Sequence, residues 1–166
     1  MLYLKIGGAF LLVVGGILAG SYRASKLKDR ITFYEQYIRF LTQASSLIGY
    51  TAANVTTLFE SIQGVPVIEP LLKTTMTHLS MGEDFPTAWQ FAVQRFVTNQ
   101  TDRRLLNYFG DTFGTENCAG ELAKLSLHRE TAARLQADLR QDYQTKHKLY
   151  RTLGLFGGTL LAILLV

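Results

Sequence analysis

The side chains with the greatest chemical potential are three histidines, one cysteine and a few neighbouring carboxylates and hydroxyls. His78, His128 and His147 lie far apart and none sits in an H-E-x-x-H pattern, whereas metal sites usually bring two ligands together at helical spacing. They are expected at the surface or at packing edges. Cys118 is the only cysteine, so neither an internal disulfide nor a thiolate-rich zinc site can form. Its expected state is a buried, inert thiol, compatible with a reducing cytoplasm. Glu83 and Asp84 could be imagined as a carboxylate pair, but beside a helix start they more simply satisfy free amides and the helix dipole. Ser45-Ser46 and Thr74-Thr75-Met76-Thr77 offer hydroxyls with no base or elbow motif to activate one. No G-x-x-x-x-G-K-[ST] loop is present, so no phosphate cradle is expected and the chain should not hydrolyse ATP. These residues predict no catalysis, no metal and no cofactor.

Charge points the same way. Of the seventeen Lys and Arg residues, Lys5, Arg23, Lys26, Lys28, Arg30, Lys146, Lys148 and Arg151 flank the two apolar ends. Nine remain elsewhere against twelve Asp or Glu, so the middle of the chain is mildly acidic. Net charge therefore gives no reason to expect nucleic acid as a partner, and no stretch interleaves stacking aromatics with a basic groove pattern.

The ends read as membrane segments. Ile6 to Tyr22 carries no charge, and at the ~1.5 Å rise of a helix it covers ~26 Å of a ~30 Å hydrocarbon core. Tyr3 suits the interface and Lys5 can snorkel. Leu153 to Val166 is shorter, ~21 Å, and would span with local thinning or insert in part. Both basic flanks place the middle of the chain on the cytoplasmic side. Two other readings compete. Residues 1–21 could be a cleaved signal peptide, although the basic cluster that follows resists translocation, and the carboxyl-terminal stretch could be a buried core helix. Gly16 and Gly20, and Gly154 and Gly158, place small residues on one helix face and are candidate packing positions between membrane helices; mere tolerance of glycine is the other reading.

Between the ends, apolar positions keep helical spacing. Leu27, Ile31, Tyr34, Ile38, Leu41, Ser45 and Ile48 form one stripe, and Phe33, Tyr37, Phe40, Ala44 and Leu47 a neighbouring one. With no breaker before Gly49, the first segment is expected to run on as one rod. Shorter helices are predicted from Asn54 to about Gln63, from about Val67 to Met81, from Phe85 with Trp89, Ala92, Val93 and Phe96 inward, and from about Thr101 to Phe113. Gly64 with Pro66, Gly82 and Gly114 punctuate them. From Thr115 a last long helix carries Leu122, Leu125, Ala132, Leu135, Leu139 and Leu149. Strand signals are nearly absent. The predicted architecture is all-α, a helical bundle between two terminal transmembrane helices, with residues 1–22 and 151–166 as the helices and 23–150 as the cytoplasmic domain.

In order along the chain, several features resemble the stage III sporulation protein AB family of endospore-forming bacteria. Gly82 followed by Ala88-Trp89 resembles the family's glycine and Ala-Trp. Phe109-Gly110-x-x-Phe113-Gly114 resembles its F-G-x-x-L-G, and Leu153-Gly154-x-x-x-Gly158 its closing L-G-x-x-x-G. The pattern spans nearly the whole chain. Asn117 and Glu121 stand where the family tends to have aspartate and glutamine, which puts a polar contact from that turn in question. The resemblance implies a reduced version of the inner-membrane platform protein of type II secretion and type IV pilus machines. Such a protein would work beside a secretion-type ATPase and other membrane subunits, in a channel complex joining mother cell and forespore. It would sit in the mother-cell membrane around the forespore. The positions then expected for partner docking are Arg103, Arg104, Arg129 and Arg134, with solvated helix surface as the alternative role of each.

Two other classes remain open. A membrane-tethered sensor or regulator would be favoured by a pocket of convergent polar groups. An enzyme would be favoured by a buried cluster of strongly perturbed titratable groups.

Overall fold

The computed structural model describes the backbone of residues 2–51 and 55–165 and the side chains of residues 25–49 and 55–145. Among the described residues six helices follow one another: α1 (Leu2–Thr51), α2 (Val55–Ser61), α3 (Glu69–Ser80), α4 (Phe85–Phe96), α5 (Gln100–Thr112) and α6 (Cys118–Leu165). No strand occurs among the described residues, so the fold is all-α as expected. Helix α1 is a single 50-residue element, in keeping with its lack of an internal breaker. The expected cap at Asn54 lies outside the described residues.

Among the described residues no helix is long and apolar enough to cross a membrane. The apolar stretches 6–22 and 153–166, with Gly16, Gly20, Gly154 and Gly158, lie outside the residues whose side chains are described.

The chain divides into two compact units, Met1–Ile31 with Gln136–Val166, and Thr32–Leu135. In the first, the Gln136 amide donates from Nε2 to the Ile31 carbonyl at 3.3 Å, joining the two helical segments. The second holds the aromatic core. Its line along α1 falls between the two predicted stripes, on Tyr34, Tyr37, Phe40, Leu41 and Ala44, all fully buried. Trp89 on α4 is the centre, with Phe109, Phe85, Phe59 and Phe40 at ring-centroid distances of 5.0, 5.7, 5.9 and 6.1 Å. Such tilted and offset pairs add to the area each ring removes from water.

Helix ends follow local chemistry. Pro70 lies in the first turn of α3, where its missing N–H costs nothing. Gly82 and Gly114 adopt φ of +90° and +80°, left-handed backbone in which a Cβ is strained, and so they close α3 and α5. At the start of α6, Asn117 Oδ1 accepts from Gly120 N at 2.9 Å while Glu121 Oε1 accepts from Glu116 N at 2.9 Å. Both residues therefore bond the backbone of this turn, while Glu121 Oε2 is buried without a hydrogen-bond partner among the described residues.

Three expectations are corrected. Phe96 is 44% exposed, because α4 stops there and Val97, in extended backbone, turns inward in its place. Cys118 is exposed at the first turn of α6, its Sγ 3.7 Å from the Ile48 carbonyl, since the chain is only entering the bundle at that point. Among the described side chains of α6 the buried seam is Glu121, Leu125, His128, Ala132 and Gln136, so three of these five positions are polar. An apolar stripe alone could not have located them.

Candidate partner-docking site

The corner between α4 and α5 brings two arginines and three carboxamides together, and its construction begins with the cap. Asn99, extended at ψ 131°, accepts from Thr101 N at 2.9 Å and Asp102 N at 3.3 Å, and so starts α5. One turn in, Asp102 is buried and accepts from the Tyr34 hydroxyl at 2.6 Å, which ties α5 to α1; a carboxylate there also suits the helix dipole. The next residue points the other way. Arg103 donates from Nε to the Val97 carbonyl and from Nη2 to the Gln94 carbonyl at 3.0 Å, satisfying acceptors that α4 leaves free at its C-terminal end.

Outside this locked corner lies an open groove of about 440 Å³, lined by Gln94, Gln100, Arg103, Arg104 and Asn107. The residues that line it carry two guanidinium groups and three carboxamides, with no acidic, aromatic or aliphatic residue among the five, and their side-chain stems supply much of its wall. Arg104 is exposed and forms no ion pair among the described residues. Chemically the groove can hold an anion and pair with amide-like groups. It has no nucleophile with an adjacent base, and so no means of acid–base or covalent chemistry.

Of the four expected docking arginines, the structure therefore unites Arg103 and Arg104. Arg129 and Arg134 lie on α6 and do not line the groove; Arg134 is engaged with Glu130 at 2.5 Å. The amides of Gln100 and Asn107 were missed, although with Arg103 and Arg104 their spacing of three and four marks one face of α5. Gln94 had no sequence signal, since only the α4–α5 packing brings it there.

The carboxylates beside the start of α4 differ from expectation. Asp84 occupies the N-cap but its side chain makes no capping hydrogen bond, and Glu83 instead meets His78 Nδ1 at 2.9 Å. The His78 ring also lies 4.2 Å from that of Phe91, so this histidine is at a packing edge as expected. His147 lies outside the described side chains. His128 contradicts the surface reading: it is buried against Tyr108 and Phe109, at centroid distances of 5.2 and 5.6 Å, and neither ring nitrogen has a hydrogen-bond partner. No group of three or more His, Cys, Asp or Glu placed to hold a metal occurs among the described residues.

Burial holds the His128 pKa below its ordinary value of 6.5, because charging the ring there forfeits its hydration. The unfolded chain then binds a proton that the native one refuses. Stability from this residue is complete above about pH 6.5 and is lost as pH falls toward the lowered native pKa. His128→Leu is expected to flatten the stability of the full-length chain between pH 7 and 5, read by denaturant unfolding across that range. An unchanged acid slope would show that other groups set it.

A family model described as stage III sporulation protein AB matches residues 5–166. No curated protein and no solved structure matches the chain.

Proposed function

We propose that the chain, which belongs to the stage III sporulation protein AB family and is therefore a sporulation-stage protein, serves as a non-enzymatic platform in a secretion-like channel complex. It is anchored in the mother-cell membrane around the forespore by its two terminal apolar helices, with residues 23–150 cytoplasmic and docking a secretion-type ATPase. The observation that carries this reading is the match over nearly the whole chain, apolar ends included. A small helical domain with a polar, cationic groove and no reactive constellation in it supports docking above catalysis. The same groove gives some support to a second reading, a tethered regulator that binds a small polar ligand. Its five lining residues are all polar or charged and it stands open, which argues against that, since small-molecule sites bury most of their ligand behind mainly hydrophobic side chains.

The test is a crosslinking pull-down of the intact chain from sporulating cells. The expected result is that the chain stays with membranes through an alkaline wash and that a secretion-type ATPase is recovered with it. Release by the wash would overturn the anchors, and absence of the ATPase under conditions that preserve the assembly would overturn the platform.

A further inference from the structure

We infer that the α4–α5 groove is a receptor for an acidic segment of the docking partner, in which Arg104 and Arg103 take Asp or Glu carboxylates and the carboxamides pair with the segment's main chain. The inference rests on the docking reading above and specifies the chemistry of the surface that docks.

Charge is the first argument. The middle of the chain carries nine Lys or Arg against twelve Asp or Glu outside the membrane-flanking clusters, so it is acidic on balance. The groove departs from that background, with two guanidinium groups and no acid among its five lining residues. Guanidinium matches carboxylate in a planar, two-pronged geometry, and such charge-assisted pairs are roughly twice as strong as neutral ones.

Preorganisation is the second. Arg103 is held by the carbonyls of Val97 and Gln94, which use two of the five N–H donors of a guanidinium. Three remain for a ligand on a side chain whose rotamer is already fixed, so little entropy is left to lose on binding. Arg104 beside it has no ion pair among the described residues to break first.

The third argument selects the class of ligand. Gln94 and Gln100 each offer a donor and an acceptor, and Asn107, whose Oδ1 is buried, offers its amide N–H groups, which suits the alternating N–H and C=O of an extended chain. A nucleotide would want a ring to stack on, and none lines the groove. The volume of about 440 Å³ falls within the ~300–1,000 Å³ range of ligand clefts and is open enough for a continuing chain to enter and leave.

The experiment uses the full-length chain in nanodiscs and a short fluorescent probe peptide of alternating Glu and Gly, with a Gln-Gly peptide as its neutral counterpart. The acidic probe is expected to bind at least about tenfold more tightly than the neutral one, and to weaken as salt rises. Arg104→Glu, which touches no structural hydrogen bond, is expected to cost at least about tenfold while circular dichroism and thermal midpoint stay at wild-type values. Arg140→Glu, a charge reversal at an exposed residue that does not line the groove, is expected to change neither. Equal binding of the two peptides, full binding by Arg104→Glu, or displacement of the probe by a nucleotide at lower concentration than by the acidic peptide itself would each overturn the inference. The pull-down separates the two readings. If the wild-type chain captures the ATPase and Arg104→Glu captures it equally, the platform stands and the groove is not its docking site. If the wild-type chain binds the acidic probe but never captures the ATPase, the groove stands and the platform fails.

Discussion

Gly110→Ala is expected to lower the stability of the full-length chain by about 2 kcal/mol, although alanine is the better helix former by roughly 1 kcal/mol. The reason is a close approach. A Cβ at position 110 would stand 2.4 Å from Trp89 Cδ1, well inside carbon–carbon contact. The flexible end of an exposed side chain could yield, but Trp89 cannot: it is fully buried, and its Nε1 donates to the Leu106 carbonyl at 2.8 Å, one turn before Gly110 on the same helix. Overpacking of this kind costs ~3 kcal/mol or somewhat more, and the propensity gain offsets only part of it. For a chain of this size the thermal midpoint should drop by roughly 4–8 °C, read by circular dichroism. A double-mutant cycle with Trp89→Leu assigns the cause, because without the indole the alanine should cost nothing or stabilise slightly. If Gly110→Ala melts within a degree or so of wild type, α4 and α5 are not packed through this contact.

Tyr34→Phe is expected to cost about 1.5–3 kcal/mol with little change in shape. The Tyr34 hydroxyl donates to Asp102 at 2.6 Å, and both residues are buried, so the substitution removes a hydrogen bond to a carboxylate and puts nothing in its place. The bond also crosses from α1 to the first turn of α5, and Asn99 and Arg103 flank that turn. Loosening should therefore be felt at the groove. Hydrogen exchange of the α5 amides is expected to speed up more than that of α3, and the acidic probe should bind more weakly in proportion. If exchange rises evenly across the bundle, Asp102 stabilises the fold without positioning the groove.

Helix existence and order were legible because the signals are local. Spacings of three and four mark an apolar face, and Gly64, Gly82 and Gly114 act on the backbone within a turn of themselves. Boundaries moved by one to three residues, and Phe96 changed sides because the end of α4 falls within that margin. The motif residues were legible too, but not their meeting. Ala88-Trp89 and Phe109-Gly110-x-x-Phe113 read as separate weak patterns, and folded they are one contact, with the indole seated on the glycine.

What the sequence by itself determined is the helical class, the order of the six elements, the aromatic character of the core and the family, since each depends on residue type and short spacing. What only the tertiary structure decided is which side of each helix meets which neighbour. His128 belongs to the core because of the rings that α5 lays against it. Arg103 fastens α4 while Arg104, one position on, stays exposed, because consecutive residues on a helix diverge by about a hundred degrees and the carbonyls of Gln94 and Val97 lie on only one side. Contacts between residues far apart in the chain form only once the helices have packed, and no local pattern records them.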